Sequence, residues 1–129
     1  MRPVVALVGR VVLGATMLAH GWTKVIPRGS LYHFAQMVAH MGFPYWLGYV
    51  AAFTEFFGGI ALILGLLTPI AALGVAIEMA VAIVKLHLRH GLTGPQGFEF
   101  PLGVFALALL ILADGPGYLA VDGALFRGK

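Results

Sequence analysis

Cysteine is absent from this 129-residue chain. That removes disulfides, thiolate metal sites and any dithiol relay within the chain. A membrane redox enzyme that passes electrons through its own cysteine pairs is therefore excluded. Charge is scarce as well. Eight Lys or Arg and five Asp or Glu make up 10% of the residues, where a soluble domain needs roughly 25% to cover its surface. The chain also lacks a basic cluster: its net charge of +3 comes from scattered positions. Nucleic-acid binding needs clustered positive charge on a solvated face, so it is not expected. The small basic surplus suits anionic lipid headgroups instead.

What is there is apolar. Hydrophobic residues make up 60% of the chain, and its mean hydropathy is +0.97. A single domain over residues 1–129 is expected, with the lipid bilayer as much of its solvent. Four apolar runs, at about 3–22, 45–67, 69–86 and 98–113, predict an all-α membrane four-helix bundle. Spanning takes about 20 apolar residues, so the last run is marginal and relies on its neighbours to shelter its ends. Pro3 suits a first helical turn, and the first run is long for a signal peptide and lacks an A-x-A site after it. Gly58 with Gly65, and Ala72 with Ala76, supply small residues for close helix packing in lipid.

The connections are unequal. The second and third runs meet at Thr68-Pro69, which predicts a tight hairpin. Over twenty residues, Thr23 to Pro44, separate the first two runs. Within them Gly29-Ser30 resembles a helix cap. Leu31, Phe34, Val38 and Met41 then fall on one face, with His33, Gln36 and His40 on the other. This pattern predicts a short interfacial helix over about 30–41. His33 and His40 lie two turns apart, too far to make a metal pair, and no metal site is expected. Four spans place both termini on one side with Arg2, Arg127 and Lys129, against Lys24, Arg28, Arg89 and Lys85 toward the other. The positive-inside count is close to a tie; cytoplasmic termini are the orientation adopted.

Ionisable residues inside spans are costly and usually have a partner or a task. A rise of about 1.5 Å per residue allows their heights to be compared. Arg10 and Glu78 stand at similar heights near the terminal side, which predicts a structural ion pair fixing helix register. His20, Lys24, Glu55, His87 and Glu99 are expected to gather at the opposite mouth of the bundle. Side chains lean toward their own helix N-terminus, so Glu55 and His20 converge.

The run from Arg10 to Lys24, with His20-Gly21-Trp22-Thr23-Lys24 at its end, resembles the first-helix signature of the DoxX family of bacterial membrane proteins. Glu55-Phe56-Phe57-Gly58-Gly59 through Gly65 to Thr68 resembles its second. His87, Gly91 and Gly97-Phe98-Glu99-Phe100-Pro101-Leu102 resemble the stretch opening its fourth helix, and Gly115-Pro116-Gly117 with Asp122 its closing motif. The resemblance covers nearly the whole chain in order. It implies a four-helix protein of the bacterial inner membrane, and His20, Lys24, Glu55, His87 and Glu99 as the family's polar positions. Glu78 and Lys85 fall outside that pattern.

Some DoxX-like proteins are quinone-reducing subunits of thiosulfate oxidation. Others belong to membrane complexes handling oxidative stress and thiol balance, and still others have assembly or trafficking roles. Two readings follow for this chain. In one it is a redox-associated subunit that binds a quinone or small acid at the polar mouth and takes electrons from a membrane or redox protein partner or a soluble substrate. In the other it is a noncatalytic structural or assembly subunit. A transporter is a third reading, with little room for a water-filled path among four short helices. A haem between His20 and His87 needs facing imidazoles, and no attachment motif accompanies them.

Overall fold

The computed structural model describes residues 2–95 and 97–126, and they form helices with no strand among them. Helix α1 runs Pro3–Val25, α2 Ser30–His40, α3 Trp46–Leu64, α4 Thr68–Ala82, α5 Glu99–Asp114 and α6 Val121–Phe126. A π-helical turn, Ile83–His87, and a 3-10 turn, Leu88–His90, carry α4 onward. Three helical segments are long and apolar enough to cross a membrane: Pro3–Val25, Trp46–Leu64 and Thr68–His90. Helix α5 has 16 residues, short of the usual spanning length. It packs along α4 and touches α1, while α1 packs on α3 and α3 on α4.

The molecule is turned inside out relative to a water-soluble domain. Val4, Val5, Val8, Ile70, Ile77 and Val84 are all more than half exposed, whereas Arg10 and Glu55 are 1% and 3% exposed. An apolar exterior around buried charge is the distribution that lipid imposes. Leu13, Met17, Leu62, Val75, Val104 and Ile111 close the apolar centre, with Ala72 and Ala76 buried among them.

Glycine sets the closest helix approach, though not at the positions the sequence points to first. An added Cβ at Gly14 would lie 2.8 Å from the Gly59 carbonyl oxygen, and one at Gly21 would collide with the Phe56 backbone. A Cβ at Gly59 would collide with the Leu18 backbone. Helices α1 and α3 thus meet backbone to backbone, which small residues permit. Gly58 has nothing within 4 Å of such a Cβ and takes no part. It neighbours Gly59 in sequence, and one residue turns the helix by about 100°.

Gly65 has a different task. With φ at +71° it ends α3, and the Leu66 N–H returns to the Ala61 carbonyl at 2.8 Å, a left-handed helix stop. Pro69 then sits in the first turn of α4, so only residues 65–67 separate the two helices.

The short helix α2 lies where the sequence places it. Val38 and Ala35 are buried against α3, and Gly48 lets the α3 backbone meet Ala35. His33 and His40 are exposed. Gly29 stands at the N-cap in a left-handed conformation, and no side chain caps the helix.

Candidate functional site

Buried charge is divided between two places, and each is built by different elements. At the terminal end, α1 brings Arg10 beneath the loop that follows α5. Its Nη1 donates to the carbonyls of Pro116 at 2.8 Å and Tyr118 at 3.2 Å, and its Nη2 to Leu119 at 3.0 Å. The planar guanidinium presents several donors in a fixed fork, which suits three carbonyls of one curled loop. Gly117, with φ at +77°, lets that loop lie on the α1 backbone: an added Cβ would sit 2.8 Å from the Leu7 nitrogen.

Asp122, just beyond, is 9% exposed and near enough for its charge to act on Arg10. Its two oxygens accept from the backbone N–H groups of Leu67 at 2.6 Å and Thr68 at 2.7 Å. A carboxylate from the far end of the chain therefore caps α4, whose first N–H groups have no partner inside the helix. Leu67 itself has φ at +49°, a conformation costly for a non-glycine residue. The Asp122 N–H completes the tie by donating to the Gly65 carbonyl at 2.9 Å. Loop, α1 and the α3–α4 turn are joined into one latch.

Arg10 therefore takes the C-terminal loop, not Glu78, as its partner. The height estimate assumed that equal depth meant contact, but Arg10 is claimed by a loop whose path periodicity does not reveal.

The second place lies between α1, α2, α3 and α4. Arg10, Gly14, Met17 and Gly21 follow one stripe of α1 that faces α3, and Lys24 continues it by one further turn. Its ammonium donates to both oxygens of Glu55, at 2.7 and 2.8 Å. The same ammonium stands 4.6 Å from the centre of the Phe34 ring of α2, a cation–π contact. Glu55 lies midway along α3 and its side chain is 4% exposed, while that of Lys24 is 25% exposed. Glu78 joins them from α4. Its carboxyl is near enough to Glu55 and Lys24 for their charges to act on it. Its Oε1 is shielded and without a hydrogen-bond partner.

Two of the other expected members, His20 and Glu99, lie on a different side. His20 is exposed, off the α3-facing stripe, and its ring lies 5.5 Å from that of Phe100 on α5. Glu99 is exposed at the start of α5 and lines a groove of about 320 Å³ between α1 and α5, with Val12, Thr16, Phe100, Gly103 and Leu107. His87 is half-buried in the π-helical turn. Lys24 and Glu55 are brought together; His20 and Glu99 face a separate, α5-lined side. Among the described residues no group of three or more His, Asp or Glu side chains is placed to hold a metal ion.

Sequence reasoning missed the second carboxyl of the inner cluster and the capping role of Asp122. A signal for the first was available, since Glu78 and Glu55 both fall near the middle of their apolar runs.

Fold and site define an all-helical membrane protein with an ion pair between the last turn of α1 and the middle of α3. The DoxX family profile matches residues 5–88, and the chain belongs to that family. It is 29% identical over 121 residues to "Putative oxidoreductase CatD" of Bacillus subtilis (strain 168), covering 93% of this chain and 86% of that protein. No solved structure matches the chain.

Proposed function

We propose that this protein is a redox-associated subunit of the bacterial inner membrane, with cytoplasmic termini, in which α5 acts as the fourth span of the bundle. In this reading it binds a quinone or small acid near the Lys24 mouth and works with a membrane or redox protein partner. The observation that carries the reading is the Lys24–Glu55 pair, an ionised contact held at the centre of an apolar helix. Such groups mark functional sites in membrane helices by default.

The name of the Bacillus relative supports oxidoreductase chemistry. The groove between α1 and α5 supports a ligand with an apolar body: mostly hydrophobic walls, with Glu99 and the His20–Phe100 contact beside it. Lys24 or His20 would donate to a carbonyl or carboxylate oxygen, and Glu55 or Glu99 would exchange protons with it. Without cysteine, electrons would come from the partner or a soluble substrate.

One observation favours the second reading, a noncatalytic structural or assembly subunit. Lys24 already satisfies both oxygens of Glu55, as a helix-holding pair would. Purification in mild detergent followed by native mass spectrometry separates the two. A stoichiometric quinone or small acid, lost in Glu55→Gln or His20→Ala, is the result the first reading expects. A stoichiometric partner protein with no small molecule would overturn it in favour of the second.

A further inference from the structure

Aromatic side chains are shared unevenly between the two ends of the molecule. Both tryptophans and three of the four tyrosines, Tyr32, Tyr45 and Tyr49, belong to the α2 end. Trp22 lies in the last turn of α1, and Trp46 opens α3. Trp46 is 62% exposed, and Trp22 and Tyr32 are each more than half exposed. The tyrosines form a connected row, with the Tyr32 and Tyr45 rings 6.1 Å apart and those of Tyr45 and Tyr49 5.5 Å apart. Their hydroxyls are tied as well: those of Tyr45 and Tyr49 lie 3.1 Å apart, and that of Tyr32 accepts from Gln36 Nε2 at 2.8 Å. Rings with an apolar body and a polar tip collect at the level of lipid headgroups. The span fits that level. The 19 residues of α3, counted from Trp46, measure about 28 Å, against about 30 Å for the hydrocarbon core of a bilayer.

Charge at the same end is one-sided. Arg28, Lys85 and Arg89 are exposed, and no carboxylate pairs with them among the described residues. Lys85 stands 5.6 Å from the centre of the Phe43 ring, which places it level with the chain entering α3. Lys24 is already engaged by Glu55. Of the five acidic residues, Asp114 and Asp122 belong to the opposite end, and Glu55 and Glu78 lie within helices. That leaves Glu99 as the exposed acid here. We propose that this face is a docking surface for anionic phospholipid: the aromatic row seats among the headgroups, and Arg28, Lys85 and Arg89 hold their phosphates. Guanidinium groups bind phosphate through paired N–H donors, and basic side chains beside a membrane draw anionic lipid to themselves. A zwitterionic lipid brings its own cation to the same place and gains less. Lipid capture here requires neither a quinone nor a partner protein, so it can fail or succeed apart from the redox reading.

Because both tryptophans flank this face, their fluorescence reads the lipid beside it. The full chain is reconstituted in vesicles of phosphatidylcholine with a minor share of phosphatidylglycerol, in two series of the same composition. An equal number of brominated chains, which quench tryptophan at close range, sits on phosphatidylglycerol in one series and on phosphatidylcholine in the other. The wild type is expected to show about a twofold or greater preference for the phosphatidylglycerol series. Replacing Arg28→Gln, Lys85→Gln and Arg89→Gln together should make the two series equal, as should high salt. Arg2→Gln, at the opposite end, should leave the preference intact. Equal quenching in the wild type would overturn the proposal without recourse to any variant, and so would a preference that survives the triple substitution. Equal quenching together with a copurifying acidic protein, lost in the triple variant, would assign the face to a protein partner instead.

Discussion

The two buried charge clusters use the same residue types in opposite ways. Arg10 and Asp122 spend their hydrogen bonds on backbone: three loop carbonyls for one, two helix N–H groups for the other. Lys24 and Glu55 bond each other, side chain to side chain, and the second carboxyl, that of Glu78, has a shielded oxygen without a hydrogen-bond partner. Backbone partners cannot leave, so the first cluster is a fastening. Side-chain partners can be exchanged for a ligand or a proton, so the second is where chemistry can enter. A buried ion pair adds little net stability over apolar replacements, but removing one member of it is costly. That asymmetry makes the comparison testable.

The largest effect is expected at the fastening. Arg10→Leu leaves three carbonyls without their donor and Asp122 without its counter-charge, a loss of about 3–5 kcal/mol. Thermal unfolding in mild detergent, followed by circular dichroism, should show a collapse of the transition. Arg10→Lys should recover only part of it, because one ammonium cannot reproduce the fork.

Next comes the helix contact that brings Lys24 to Glu55. Gly59→Leu forces a side chain into the α1 backbone at Leu18 and should cost about 1–3 kcal/mol or more. The same unfolding assay reads it, and Gly58→Leu is the matched control with open space around it.

Asp122→Ala should cost about 0.5–2 kcal/mol, the range for losing a helix cap. Amide hydrogen exchange should localise the loss to Leu67 and Thr68. Smallest of all is Gly58→Ala, expected within about 0.5 kcal/mol of the parent. A large effect there would mean that the α3 face beside Gly59 is packed against something.

Legibility in the sequence followed periodicity. The apolar runs locate α1, α3, α4 and α5 to within a few residues, and the 3.6-residue pattern locates α2. Family membership was legible in the Arg10–Lys24 and Glu55–Thr68 runs. Pairing was less so. Arg10 and Glu78 share a depth, but depth along a helix does not fix rotation around it, and the loop of residues 115–120 that captures Arg10 has no period to read. The short α6 that carries Asp122 went unread for the same reason. Gly59 and Gly58 are adjacent, and only the rotation of α3 against α1 decides which one packs. The expected charges at Arg127 and Lys129 lie outside the described residues.

The most direct test replaces the inner cluster whole. Lys24→Met, Glu55→Leu and Glu78→Leu together remove every charge of the site and keep its volume filled. The account predicts an unfolding temperature equal to or above that of the parent, with a copurifying small molecule lost. A fall as large as that of Arg10→Leu would contradict it: the inner cluster would then be a second fastening, and the distinction between the two regions would disappear.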